Sequence, residues 1–123
     1  MPELTPDSAR EIIALYRPAP EAAEAQAPLP LGMTSAEHFA VGSSALGLTE
    51  EGFDWMNWAP YQDRRISDPE FIAGADTQTL RRITTAHLRI DRFVDGHLEE
   101  IDRTGILAGI VDRLRALEES GEL

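Results

Sequence analysis

The chain has 123 residues, a formal net charge of −11 and no cysteine. That length suits a single core of modest size, and the missing thiols exclude disulfides, cysteine nucleophiles and cysteine-bound zinc or iron–sulfur centres. At 42% apolar the chain can bury an interior, yet no apolar run approaches the roughly 20 residues of a membrane-spanning helix.

All eleven basic residues are arginine, against 22 acids. Residues 1–60 hold two arginines and nine acids; residues 61–123 hold nine arginines and thirteen acids. Such a field repels phosphate backbones, so direct nucleic-acid binding is not expected. The plain consequence of the acid excess is solubility. The sharper one is an acidic face that docks on a basic protein surface, or imitates nucleic acid to block one. The opening "MPELTPDSAR" has an acid at position 3 and no apolar stretch of the kind a secretory leader needs. The cytoplasm is the expected location, without membrane association.

"LTPDSAREIIALYRP" predicts a first helix, with Thr5 as cap, Pro6 at the first helical position and Pro18 as stop. Ile12, Ile13 and Tyr16 share one face. "PAPEAAEAQAPLPLG" carries Pro18, Pro20, Pro28 and Pro30 and little to bury. It reads as a linker or surface arm over residues 18–33. "TSAEHFAVGSSALG" has the capping-box pattern of Thr34 and Glu37, with Gly47 as C-terminal stop. Ser43 and Ser44 follow Gly42, but the glycine spacing and strand of a nucleophile elbow are missing, so both read as helix surface.

"LTEEGFDWMNWAPYQ" gathers Phe53, Trp55, Met56, Trp58 and Tyr61 into nine residues. Phe53 with Trp55 or Trp58 is expected to anchor the core. Trp55, Trp58 and Tyr61 are also the candidates for contact with a partner. "ISDPEFIAGAD" predicts a short helical turn capped by Ser67, with Pro69 and Glu70 in its first turn. No strand-like alternation persists for five residues anywhere.

Asp76 is a good cap for a helix starting at Thr77. On a helical wheel, Leu80, Ile83, Thr84, His87, Ile90, Asp91, Val94, Leu98 and Ile101 fall within a band of roughly 120°. One long helix, or two nearly collinear ones broken at Gly96, would explain that. Gly105 is the natural stop, and "GILAGIVDRLRALEE" supplies a last amphipathic helix through Ile106, Ile110, Leu114 and Leu117. These elements imply an all-α fold, a single compact domain of about five or six helices over residues 1–123.

His87 and Asp91 lie inside the apolar band, four residues apart, where side chains on a helix are neighbours. The spacing predicts a hydrogen-bonded pair, because a carboxylate taken out of water needs a partner. Such a pair could set helix register, or Asp91 could orient His87 as a general base. His97 flanks the band; with His87 and Asp91 it would supply three metal ligands, though the spacing matches no dedicated metal motif. No metal or other cofactor is expected. Arg89 and Arg92 face outward and, together with His97, are anion-binding candidates. Glu99 and Arg103 are placed for a surface ion pair.

The segments "FDWMNW" (53–58), "ADTQTLRRITTAHLRIDRFVDGHL" (75–98) and "GILAGIVDRLRAL" (105–117) resemble a family of small bacterial and phage proteins, the domain of unknown function DUF6508. In that family a Phe-Asp-Trp motif precedes a Thr-x-His-x-Arg-x-x-Arg-Phe-x-x-Gly-His-Leu block and a final helix. Phe53, Asp54 and Trp55 match the first motif. Thr85, His87, Arg89, Arg92, Phe93, Gly96, His97 and Leu98 match the second. The family often has Cys-Glu before the glycine, where this chain has Val94 and Asp95, so any thiol role is absent here. The resemblance covers residues 53–117 and brings no established activity; the phage and prophage occurrence implies a role in phage–host interaction.

The expected function is a non-enzymatic protein-interaction or regulatory module that meets a protein partner, one with a basic surface, through acidic and aromatic residues. One alternative is an acidic nucleic-acid mimic that inhibits a host defence complex, in the manner of an anti-CRISPR. Another is a small enzyme using His87 and Asp91. A catalytic His87 must reach a cleft, whereas a structural one is enclosed.

Overall fold

The structure, a computed structural model, describes residues 3–16 and 35–123. Helix α1 spans Pro6–Leu15. Thr5 caps it as expected, its Oγ1 accepting from the Ser8 N–H at 3.1 Å, with Pro6 in the first turn where no N–H is needed. Pro18, the arm over residues 18–33 and the capping residue Thr34 lie outside the described residues. Helix α2 spans Ser35–Leu46. It stops at Gly47, whose φ of +95° suits glycine, and the Leu48 N–H returns to the Ser43 carbonyl at 2.9 Å. The N-terminal segment passes so close that a Cβ on Gly47 would sit 2.7 Å from the Leu4 nitrogen.

Two 3₁₀ turns, Trp55–Asn57 and Arg65–Ser67, bracket the short helix α3, Ala59–Gln62. Helices α4 (Pro69–Ala73), α5 (Thr77–Asp91), α6 (His97–Arg103) and α7 (Ile106–Glu119) follow. No strand occurs among the described residues, and five of their helices have seven or more residues, so the fold is all-α. Among the described residues no helix is long and apolar enough to cross a membrane.

Asp76 caps α5 by accepting from the Thr79 N–H at 2.7 Å. At α4 the cap is Asp68 rather than Ser67: the Asp68 carboxylate accepts from the Glu70 N–H at 3.0 Å, and Ser67 belongs to the preceding 3₁₀ turn. The proline decides this. A residue before proline is driven out of the helical region into the extended backbone that a cap requires, and Asp68 has φ −85° and ψ 118°.

Helix α7 is the hub. It packs on α1, α4, α5 and α6, and buries Leu107, Ile110, Val111, Leu114 and Leu117. Ile12 of α1, Phe39 of α2, Leu80 and Ile83 of α5, and Ile101 of α6 meet it in a common core. Tyr16 closes one end, its ring edge-on to Phe39 and its hydroxyl donating to Asp102 at 2.6 Å.

Other expectations about packing also differ from the structure. Phe53, Trp55 and Trp58 are half-buried, and the two tryptophans pack on the core from outside. Their segment is built from turns of three or four residues, too short to present a continuous buried face. Ser43 is buried rather than exposed, because it lies one turn after Phe39 on the face of α2 that enters the core. Its Oγ has no hydrogen-bond partner among the described residues. Arg103 pairs with Glu100 instead of Glu99. Finally, the apolar band does not run unbroken to Ile101. Helix α5 ends at Asp91, residues 92–96 turn with Gly96 at φ +82°, and Val94 is left 52% exposed.

Candidate functional site at the α5–α6 turn

Helix α5 is fastened to the loop that leads into the aromatic segment. Arg81 donates to the carbonyls of Gly47 and Thr49, both at 3.0 Å. The Thr85 hydroxyl accepts from the Glu50 N–H at 2.9 Å, and Arg82 reaches the Glu50 carboxylate at 3.0 Å. Arg82 also covers the ring of Phe53, 4.9 Å from its centroid. Trp58 meets Phe53 edge-on at 5.3 Å, while Trp55 meets Tyr61 edge-on at 4.8 Å. The aromatic segment is therefore held at a fixed height on α5.

His87, one turn beyond Ile83, is 1% exposed. Its Nε2 lies 2.8 Å from the Ile66 carbonyl oxygen. A carbonyl only accepts, so Nε2 carries the proton and Nδ1 is the acceptor. The donor to Nδ1 is His97 Nε2, at 3.0 Å, and the two rings lie 18° from parallel with centroids 5.3 Å apart. The ring expected to pair with Asp91 thus pairs with His97. Asp91 instead turns to the next helix, where its Oδ1 accepts from the Leu98 N–H at 2.8 Å and caps α6. The reason is the end of α5: the wheel assumes that the helix continues, but the chain doubles back at Asp91 and delivers the unpaired N–H groups of α6 to its carboxylate.

Burial pushes His87 down to about 4, against the pull of its hydrogen bond to Ile66, and the neighbouring His97 lowers it further. Burial also lowers His97, while the carboxylates of Asp91 and Glu100 act in the opposite direction. With both ring nitrogens engaged by the protein, neutral His87 has no lone pair left for a substrate. Among the described residues no three His, Asp or Glu side chains converge to hold a metal ion.

The anion trio separates. Arg89 and Arg92 line a groove of about 540 Å³ between α2 and α5, beside Asp91. His97 is drawn beneath the turn by its bond to His87 and is not part of that lining.

Among the described residues the outer side of the same turn carries the largest apolar exposure. Phe93 is 73% exposed, its ring 6.5 Å from that of Trp55; Val94 and Met56, the residues that follow Phe93 and Trp55, are each 52% exposed. Exposed carboxylates of Glu51, Asp54 and Asp95 lie in the same two segments. Of the expected contact residues, Trp55 and Tyr61 join this face, whereas Trp58 turns to Phe53. The wheel placed Val94 in the core and gave Phe93 no role. The signal for both was Asp95–Gly96, a turn dipeptide that ends the helical phase just before it.

No curated protein and no solved structure matches the chain. A model of a family of unknown function, DUF6508, matches residues 8–120, which includes most of α1 and all of α2 as well as the C-terminal segments. The chain belongs to the DUF6508 family.

Proposed function

We propose that the protein is a non-enzymatic interaction module that docks on a partner protein through Trp55, Met56, Phe93 and Val94. The observation that carries this reading is Phe93, a large apolar side chain 73% exposed beside the ring of Trp55. Contiguous exposed apolar surface costs solubility and is characteristic of contact sites. An aromatic centre with a polar rim is the usual anatomy of such a site, and a few aromatic residues carry most of the binding energy. Glu51, Asp54 and Asp95, with the net charge of −11, suit a partner that presents basic residues around an apolar spot. The enclosure of His87 and the engagement of both its nitrogens favour binding over turnover. A regulator that covers the basic surface of a nucleic-acid-binding complex is the narrower form of this reading, and it rests on net charge.

The test is affinity capture with the wild-type chain and Phe93→Asp, with Arg115→Ala as a surface control. Phe93→Asp is expected to weaken the captured partner by about thirtyfold or more while melting like the wild type, and added salt is expected to slow association. A partner that Phe93→Asp retains would remove this face from the recognition.

A further inference from the structure

We propose that the groove between α2 and α5 is a binding site for a small amphiphilic carboxylate, an organic acid with an apolar body of about six to ten carbons. Acids outnumber arginines two to one in this chain, 22 to 11, so an arginine should readily find a carboxylate. Arg10, Arg65, Arg82, Arg103 and Arg115 do so. Arg81 and Arg113 bond backbone carbonyls. Arg89 and Arg92 have neither kind of partner among the described residues, and both line the same groove. Arg89 in the last turn of α5 and Arg92 at its C-cap are three residues apart and stand on one side of the helix. Arg64, the other described arginine with no such bond, is isolated on an exposed turn.

Apart from Ser44 and Asp91, the rest of the groove is apolar. Ala40, Val41 and Ala45 come from α2, Leu88 from α5 and Leu98 from α6, and Val41 is 59% exposed. Each long wall is short: Ala40 to Ala45 rises only about 8 Å along a helix. A partner's helix of several turns would overhang it, whereas a volume of about 540 Å³ accommodates one small molecule. The guanidinium fork matches a carboxylate with two parallel hydrogen bonds. Asp91 shares the lining, but its Oδ1 is committed to the Leu98 N–H. Its negative charge disfavours a multiply charged anion such as phosphate, leaving a monoanion with an apolar tail as the fitting ligand.

Octanoate is the probe, titrated into the full chain at neutral pH by calorimetry and by amide NMR. Saturable one-to-one binding is expected, with shifts at Val41, Leu88 and Leu98, and octylamine under the same conditions should produce none. Arg89→Gln and Arg92→Gln should each weaken octanoate roughly tenfold, and Val41→Glu should abolish binding with both arginines intact. Melting curves establish that each variant is folded. Met56→Asp, in the proposed docking face and outside the groove lining, should bind octanoate like the wild type, which separates this site from that face. Failure to saturate by about 10 mM, equal binding by octylamine, unchanged affinity in both arginine variants, or loss in Met56→Asp would each overturn the assignment.

Discussion

Lowering the pH from about 7.5 to about 4 should cost the fold about 3 kcal/mol through His87 alone. In the unfolded chain His87 takes up its proton near 6.5; in the folded chain burial delays this to about 4. Between those values the unfolded state binds more protons, so stability rises with pH across the window. The full stability is present above 6.5 and the loss is complete near 4, at about 1.4 kcal/mol per pH unit where the slope is steepest. The geometry explains the resistance to protonation. A second proton on His87 would have to sit on Nδ1, against the His97 N–H that donates to it at 3.0 Å. The matched variant is His87→Gln, whose amide can donate to Ile66 and accept from His97 but does not titrate. Urea unfolding of both proteins at several pH values gives the difference in stability. His97 is also lowered by burial in the wild type, so the difference reports His87 together with its charge coupling to His97. The wild-type advantage over His87→Gln should shrink by about 3 kcal/mol from pH 7.5 to pH 4. A difference that stays constant would refute the enclosed, neutral His87.

Asp91→Ala should remove the α6 cap and cost about 1 kcal/mol at neutral pH, read as a lowered urea midpoint with unchanged m-value. Gly47→Ala should cost about 1–3 kcal/mol, because φ is +95° and the new methyl would press on the Leu4 nitrogen; a melt equal to wild type would mean that the N-terminal segment does not lie there. Phe53→Ala should cost only about 1–2 kcal/mol rather than the about 3–5 kcal/mol of an enclosed phenylalanine, since its ring is half-buried under Arg82. Leu114→Ala, in the hub helix at 0% exposure, should cost about 2–5 kcal/mol by thermal melting.

The parts legible in the sequence were those settled within a turn or two of chain. Thr5 and Asp76 cap where their short side chains reach the next N–H groups, and Gly47 and Gly105 stop helices because each adopts a positive φ. The 3.6-residue period of Leu80, Ile83, Thr84 and His87 placed all four in the core, and the amphipathic pattern of the last helix placed Ile110, Leu114 and Leu117 there. Ser67 was the wrong cap by a single residue, because the backbone restriction before Pro69 outranks hydroxyl preference.

What His87 touches was decided by tertiary structure. Its partners are ten and twenty-one residues away, at His97 and Ile66, and they reach it only because the chain reverses after Asp91 and the Arg65–Ser67 turn packs against α5. A helical wheel carries no information past the point where the helix ends, so it paired His87 with Asp91 and buried Val94. Composition likewise could not say which aromatics are enclosed. The aliphatic residues of α5, α6 and α7 fill the interior, and the aromatic segment, made of turns too short to offer a buried face, is left at the surface with Phe93 standing beside Trp55. Local hydrogen bonding and periodicity determine the helices; the packing of distant helices determines which polar groups meet and which apolar ones stay in water.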